Sequence, residues 1–271
     1  MPPSFSERNN YQEPAVPITV REDAPEELCS FVVNSALHSS LTLKPLRALV
    51  CHAVHSAPFS GNWQENGWMR QEIEGHLQGN SWFYTYDAIE LIVDALKEEE
   101  ADEFTRSINS FFLRNGIGWQ LEQGEIIFRG DDQFEALKVR AVDALAAANK
   151  PTAKGEIHEA IKDLSRRPKP DLTGGIQHAL AGLECVIRDI TGQDKATLGQ
   201  LVKENPDVLP RPLGEVVAKL YGYASNNGRH LQEGMPPSIE EAELSVSISA
   251  SLITYLARKN FLGKEADDFK W

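Results

Sequence analysis

Apolar residues recur at helical spacing along most of the chain, and this pattern predicts an all-α protein. The clearest case is residues 171–191, where one helical face is apolar from end to end. That face consists of Ile176, Ala179, Leu180, Leu183, Val186, Ile187 and Ile190. Gly192 follows directly and is a typical helix end.

The same spacing predicts several other helices. We expect one to begin at about Ala24, and we expect others over residues 43–57, 82–100 with a continuation to 115, 132–148, 152–165, 197–204 and 210–223. A segment with Trp63, Gly67 and Trp68 lies between the second and third of these and is not assigned to a helix.

Residues 244–252 fit two structures, because their apolar and serine residues alternate with the period of a strand. Two features favour a helix instead. Ser238 and Glu241 have the spacing of a capping box, and Leu244 begins a row of apolar residues spaced by four that ends at Leu256. We therefore predict a helix over residues 238–260.

One short β-hairpin is the expected exception to the helical structure. Gln123-Gly124 lies between two apolar runs within residues 118–128, and glycine suits such a tight turn. Residues 14–20 could add a short edge strand. The predicted fold class is therefore all-α, with helical bundle domains and one minor β-hairpin.

Polar termini and proline positions indicate the domain organisation. Residues 1–23 are polar, contain proline and lack periodicity, so we expect a flexible tail. Lys150-Pro151 interrupts the helical pattern. The chain is thus predicted to have an N-terminal helical domain over 24–150, a C-terminal bundle over 151–262 and a tail over 263–271.

The charge balance limits the classes of partner. The net charge is −13 and the isoelectric point is about 5.0. A general nucleic-acid coat needs a basic surface, so this class is disfavoured, although RNA could still bind at a local site. Residues 210–260 contain five basic and five acidic side chains, and the excess of negative charge lies elsewhere.

Cysteine usage and the N-terminus predict a cytoplasmic protein. The three cysteines are widely spaced, which is typical of a reducing compartment rather than of a disulfide framework. Residues 1–10 lack the apolar core of a signal peptide.

Cys51 and His55 are four residues apart and would share a helical face, which raises the question of a metal site. Zinc needs about four ligands, and no second Cys/His pair has matching spacing. His38 and His76 are further candidates, but a half-buried helix is the favoured interpretation. We predict no metal and no cofactor.

Arg229-His230 is the strongest candidate site, because Arg binds phosphate or carboxylate and His exchanges protons near neutral pH. The alternative is a pair that caps the C-terminus of the preceding helix. Glu184 and Arg188, four apart, could form an exposed ion pair, or Glu184 could face inward and be ordered by Arg229.

Several segments with consistent order and spacing resemble a known family. They are Pro170-Asp171, 176–186, 190–192, 197–199, 220–225, 228–230, Glu241-Ala242 and Tyr255-Leu256. These segments resemble the C-terminal domain of AbiJ-type abortive-infection proteins, a branch of the HEPN helical domains. The preceding half, with Arg47, Ile108-Asn109 and the hairpin, is similar to one of the N-terminal domains attached to them.

The resemblance implies a bundle that often forms homodimers and acts in anti-phage defence. Many HEPN proteins are metal-independent ribonucleases in which an Arg and a His, four to six residues apart, meet across a dimer groove. Transferred to this chain, Arg229 would bind the phosphate of RNA, His230 would exchange a proton, and Glu184 and Asn226 would orient the pair. The expected product is a 2′,3′-cyclic phosphate.

This chain departs from that spacing, because Arg229 and His230 are adjacent. Together with the acidic composition, the departure supports an alternative function. In that alternative the bundle is a non-catalytic module for dimerisation, sensing or nucleic-acid binding.

Overall fold

The computed structural model describes residue 8 and residues 16–60, 66–229 and 236–262. It confirms the predicted fold class, since the described residues form eleven helices and one two-stranded sheet. The chain divides into two compact units, Met1–Arg129 and Gly130–Trp271. Among the described residues, no helix combines the length and the apolar character needed to span a membrane.

Within its described residues, the first unit contains five helices followed by a hairpin. They are α1 (Glu26–His38), α2 (Leu43–Ala53), α3 (Asn66–Gly79), α4 (Phe83–Ala95), α5 (Glu98–Arg114), β1 (Trp119–Glu122) and β2 (Glu125–Phe128). Helix α1 packs against all four other helices, and α2 packs against α3 and α4. Phe104 and Phe112 of α5 are fully buried in the shared core, and each such side chain stabilises the fold by about 1.5–3 kcal/mol.

The hairpin lies where it was predicted. Trp119 pairs with Phe128 and Glu122 with Glu125, so Gln123 and Gly124 form a two-residue turn. Both turn residues have positive φ, 53° and 86°, which is the backbone geometry that matches the twist of paired strands.

The end of the predicted N-terminal tail belongs to the first unit. The Thr19 N–H donates to the Gly116 carbonyl over 2.9 Å, and Arg21 Nη1 donates to the Gly118 carbonyl over 2.9 Å. The expected edge strand is reduced, within the described part of that segment, to a single parallel bridge between Val20 and Ile117. The expectation of a loose tail is therefore wrong for residues 19–21.

Three helix predictions in this unit need correction. The helix expected over 82–100 is two helices, because Leu96 is extended (φ −87°, ψ 158°) and the Lys97 N–H donates to the Glu100 carboxylate of the next helix. Helix α2 ends at Ala53, before His55 with its φ of 54°. Helix α3 was not predicted, because its turns are polar and glycine-containing.

The part of the second unit that the structure describes contains six helices. They are α6 (Asp132–Ala147), α7 (Pro151–Ser165), α8 (Leu172–Thr191), α9 (Leu198–Glu204), α10 (Leu213–Arg229) and α11 (Ile239–Asn260). The apolar helix α8 is central and packs against α7, α9, α10 and α11. Helix α6 packs against α7 and α11, which explains why it lies in this unit although the sequence placed it before the boundary at residue 150.

Residues 239–260 are helical, which settles the conflict between the strand and helix patterns. The Ser238 Oγ accepts the Glu241 N–H, and the Glu241 carboxylate accepts the Ser238 N–H. Ser245 and Ser249 are buried, and their hydroxyls donate to carbonyls four residues earlier. Because these hydroxyls are satisfied within the helix, serine is tolerated at core positions.

Candidate functional site

Three of the four predicted site residues lie on two neighbouring helices. Glu184 is in α8, and Asn226 and Arg229 are in the last turns of α10. Helix α10 continues to Arg229, beyond its predicted end at Tyr223. The side chains of Asn226 and Arg229, and the whole of His230, lie outside the described residues.

A cavity of about 310 Å³ lies between α8, α9 and α10. It is lined by Gln177, Leu180, Ala181, Glu184, Thr197, Leu198, Tyr221, Ala224 and Ser225. Arg229 follows Ser225 by four residues in the same helix, about 6 Å further along its axis. The structure therefore brings Glu184 and the helix of Asn226 and Arg229 to one cavity.

Glu184 uses both carboxylate oxygens. Its Oε1 lies 2.6 Å from Arg188 Nη2, and its Oε2 accepts the Leu198 N–H over 2.6 Å. The predicted ion pair with Arg188 is therefore present, but it is partly buried rather than exposed, since only 20% of the Glu184 side chain is exposed. A carboxylate at the N-terminus of α9 is favourable, because the N–H groups there lack helical partners. The alignment of Arg229 by Glu184 stays a prediction.

Arg188 completes this contact between α8 and the chain that leads into α9. Its Nε donates to the Ala196 carbonyl over 3.0 Å. Together, Glu184 and Arg188 bind one backbone donor and one backbone acceptor of residues 196–198. The position of α9 beside the cavity thus depends on side chains of α8.

Helices α9 and α10 approach closely at the cavity. A Cβ atom on Gly199 would lie 3.3 Å from the Tyr221 ring. Leu198 and Leu201 are fully buried. The sequence did not indicate Tyr221 or Leu198 as cavity residues, and the signal that could have located them is the Thr197–Gln200 capping box that begins α9.

The cavity combines apolar surface with a few polar groups, as small-ligand sites do. Leu180, Leu198 and the Tyr221 ring form the apolar part, and Gln177 and Ser225 add an amide and a hydroxyl. Burial raises the pKa of the Cys185 thiol, next to Glu184, which disfavours the nucleophilic thiolate form.

The sequence-based pairing of Cys51 with His55 is not observed. The His55 ring packs edge-on against Tyr84, with ring centres 5.8 Å apart. Cys51 instead lies near two residues of the unpredicted helix α3, Glu72 and His76.

Comparison with known proteins identifies the first half of the chain. Residues 3–143, just over half of the 271 residues, match the family model described as AbiJ N-terminal domain 4. No curated protein and no solved structure matches the chain. The match confirms the AbiJ-type resemblance of the N-terminal half, and an AbiJ domain indicates a protein of abortive-infection defence. The chain belongs to the AbiJ N-terminal domain 4 family.

Proposed function

We propose that this protein is a cytoplasmic anti-phage protein whose second unit is a HEPN-like bundle that cleaves RNA without a metal. The AbiJ-type N-terminal domain supports the defence role. The packing of four helices around α8 supports the bundle. One observation supports the site most directly: the cavity beside Glu184 is lined by α10, and the same helix continues to Asn226 and Arg229.

In the proposed reaction, a ribose 2′-hydroxyl attacks the adjacent phosphorus and the 5′-oxygen leaves, which produces a 2′,3′-cyclic phosphate. Arg229 binds the non-bridging oxygens and stabilises the charge that develops on them. His230 takes the proton of the 2′-hydroxyl, or donates one to the leaving oxygen.

A homodimer would complete this site. On a helix, adjacent residues point about 100° apart, so one Arg-His pair need not present both groups to the same phosphate. Two copies of the pair in one cleft would supply Arg from one chain and His from the other. One His230 would then act as base and the second as acid, which balances the proton transfers.

Glu184 and Asn226 are proposed as positioning residues. Glu184 fixes the start of α9 through Leu198 and holds Arg188, and it thereby shapes the cavity that would receive a base next to the cleaved bond. Asn226 precedes Arg229 by three residues in α10 and so lies close to it on the helix.

The alternative function is a non-catalytic module that dimerises, senses a signal or binds nucleic acid through the same cavity. Two observations favour it. Both Glu184 oxygens already have partners, and the net charge of −13 disfavours extended contact with RNA.

Incubation of the purified full chain with total RNA in EDTA separates the two functions. We expect fragments that end in 2′,3′-cyclic phosphate. Arg229→Ala and His230→Ala should each slow cleavage at least about a hundredfold, since each removes a group that acts in the transition state. Lys219→Ala is the matched control, because it removes an exposed cation from the same helix.

Circular dichroism and sedimentation establish that each variant is folded and report its oligomeric state. A dimeric wild-type protein that leaves RNA intact contradicts the nuclease function. If it also binds RNA, or if both variants still protect cells from phage, the non-catalytic module is supported instead.

A further inference from the structure

Three side chains of different chemistry converge between α2 and α3 in the first unit. The Cys51 thiol, the Glu72 carboxylate and the His76 imidazole each place one ligand atom within 4.8 Å of the other two. Glu72 and His76 are four residues apart and share one face of α3, and α3 packs against α2. Cys51 is 1% exposed, whereas the Glu72 and His76 side chains are 18% and 23% exposed.

The combination of ligands selects a class of metal. Thiolate, imidazole and carboxylate are the protein ligands of Zn²⁺. A buried sulfur ligand excludes Mg²⁺ and Ca²⁺, which bind oxygen. Three protein ligands leave a fourth tetrahedral position for water or another ligand, as in zinc sites that are not purely structural.

The carboxylate is already oriented by neighbouring groups. Glu72 Oε1 accepts the Phe59 N–H over 2.7 Å, and Oε2 lies 3.5 Å from Arg47 Nη1. The nearest His76 ring nitrogen, Nε2, is 3.9 Å from Glu72 Oε1. Hydrogen bonds to a ligating carboxylate are the usual outer contacts of a metal site, and they reduce the cost of ordering the ligand.

The charges also suit a divalent cation. Burial raises the pKa of the Cys51 thiol, the nearby Glu72 carboxylate raises it further, and the Arg47 guanidinium lowers it. With Zn²⁺ bound, the thiolate and the carboxylate offset the two positive charges of the metal, and Arg47 stays paired with Glu72.

We infer that Cys51, Glu72 and His76 form a Zn²⁺ site with one open coordination position. Binding forms a zinc–sulfur bond and breaks the S–H bond, and the proton passes to solvent. One proton is thus released for each metal bound near neutral pH.

The competing interpretation is a purely ionic contact, in which Arg47, Glu72 and His76 join the two helices and Cys51 is only a packed thiol. The two interpretations differ in what happens when a metal is added. A zinc site binds the added metal stoichiometrically, and it does so through the cysteine sulfur. A purely ionic contact shows neither stoichiometric metal binding nor a metal–sulfur bond.

The test uses the full chain, stripped with a chelator and dialysed. Addition of Co²⁺ as a spectroscopic substitute should produce a thiolate-to-cobalt charge-transfer band in the near ultraviolet. Titration with Zn²⁺ in two buffers of different ionisation enthalpy should give one site per chain and release of one proton. Cys51→Ser should remove the charge-transfer band, and His76→Ala should weaken zinc binding at least about tenfold.

Two control variants match these substitutions. Cys29→Ser changes another buried thiol of the first unit, whose Sγ contacts Thr85 Oγ1, and His55→Ala changes the histidine that follows Cys51 by four residues. Both controls should keep the band and the affinity. Absence of the band in the wild type, or its persistence in Cys51→Ser, overturns the site.

If circular dichroism shows that Cys51→Ser is unfolded, the zinc affinity of His76→Ala becomes the test of the site, because the His76 side chain lies near the surface. Unchanged zinc affinity in folded His76→Ala contradicts the site. None of these measurements uses RNA, so their outcome is independent of the proposed ribonuclease.

Discussion

The two units use their polar side chains differently. In the first unit, polar side chains join elements that are distant in sequence. Both polar atoms of the Asn109 amide bind the Leu121 backbone, with donor–acceptor distances of 2.8 and 2.7 Å. The buried Arg129 guanidinium donates twice to the Ile117 carbonyl.

In the second unit, several polar side chains begin helices, beside contacts such as that of Glu184 with Leu198, which joins α8 to α9. Asp131 accepts the Phe134 N–H over 2.7 Å, and Asp171 accepts the Gly174 N–H over 2.8 Å. The capping boxes at Thr197 and Ser238 act in the same way. Each of these contacts spans three residues and forms with the helix itself.

This difference indicates where stability is concentrated. A contact between distant elements fixes the position of a whole hairpin or helix, and its loss leaves half-buried backbone groups unpaired. A cap improves one helix end that solvent can partly satisfy. Substitutions that remove a contact between distant elements should therefore lower the free energy of unfolding more than substitutions that remove a helix cap.

Asn109→Ala should have the largest effect. It removes two hydrogen bonds to Leu121, so the free energy of unfolding should fall by about 2 kcal/mol. Urea denaturation followed by tryptophan fluorescence measures this loss in the first unit, because Trp63, Trp68, Trp82 and Trp119 lie there.

Asn115→Ala is the control for that loss. Asn115 is an exposed residue near the end of α5 and donates to the Phe111 carbonyl within its own turn. We expect it to cost less than about 0.5 kcal/mol. Equal losses at the two positions would show that the distinction between distant and local contacts is wrong.

Asp131→Ala should have an intermediate effect in the second unit. It removes the acceptor for the Phe134 N–H at the start of α6, which should cost about 1 kcal/mol. Thermal unfolding followed by circular dichroism measures this change. Asp131→Ser keeps an acceptor and should recover most of the stability, whereas a loss as large as that of Asp131→Ala would contradict a capping role.

Glu90→Gln should have the smallest effect, and its sign should depend on pH. Burial raises the pKa of the Glu90 carboxyl, although the hydrogen bond from the Ile126 N–H lowers it. Because the folded pKa is above the unfolded value, the carboxylate destabilises the fold at neutral pH. This loss of stability disappears as the pH falls through the pKa of the folded state towards the ordinary pKa of Glu.

Gln keeps the acceptor for Ile126 without the charge, so the variant should be the more stable protein at neutral pH. The difference between variant and wild type should shrink as the pH decreases towards 4.5, the ordinary pKa of Glu. Urea midpoints between pH 4 and pH 7, read by tryptophan fluorescence, test this. A difference that grows on acidification would contradict the expected sign.

The same comparison explains how much of the fold could be predicted. The helices of the second unit were predicted well where a cap is encoded locally, as at Asp171, Thr197 and Ser238. The strand-like serine pattern was resolved correctly by the Ser238–Glu241 spacing. In the first unit, the break at Leu96 was missed, because Lys97 is not a typical capping residue.

The candidate sites show the same limit. The sequence left Glu184 either in an exposed ion pair with Arg188 or facing inward, and its contact with the Leu198 N–H depends on how α9 packs. Cys51 and His55 were considered as metal ligands, with His38 and His76 as further candidates, although a half-buried helix without a metal was favoured. The spacing of Glu72 and His76 was visible in the sequence, but it indicated a site only once α3 was placed against α2.

Helix α9 has seven residues, which is too few for a helix to persist alone in water. It therefore depends on buried Leu198 and Leu201 and on the carboxylate of Glu184. When those contacts open, the whole segment should lose its protection from hydrogen exchange in one cooperative step, well below the free energy of global unfolding. Opening of α9 would then remove the wall of the cavity that Thr197 and Leu198 form.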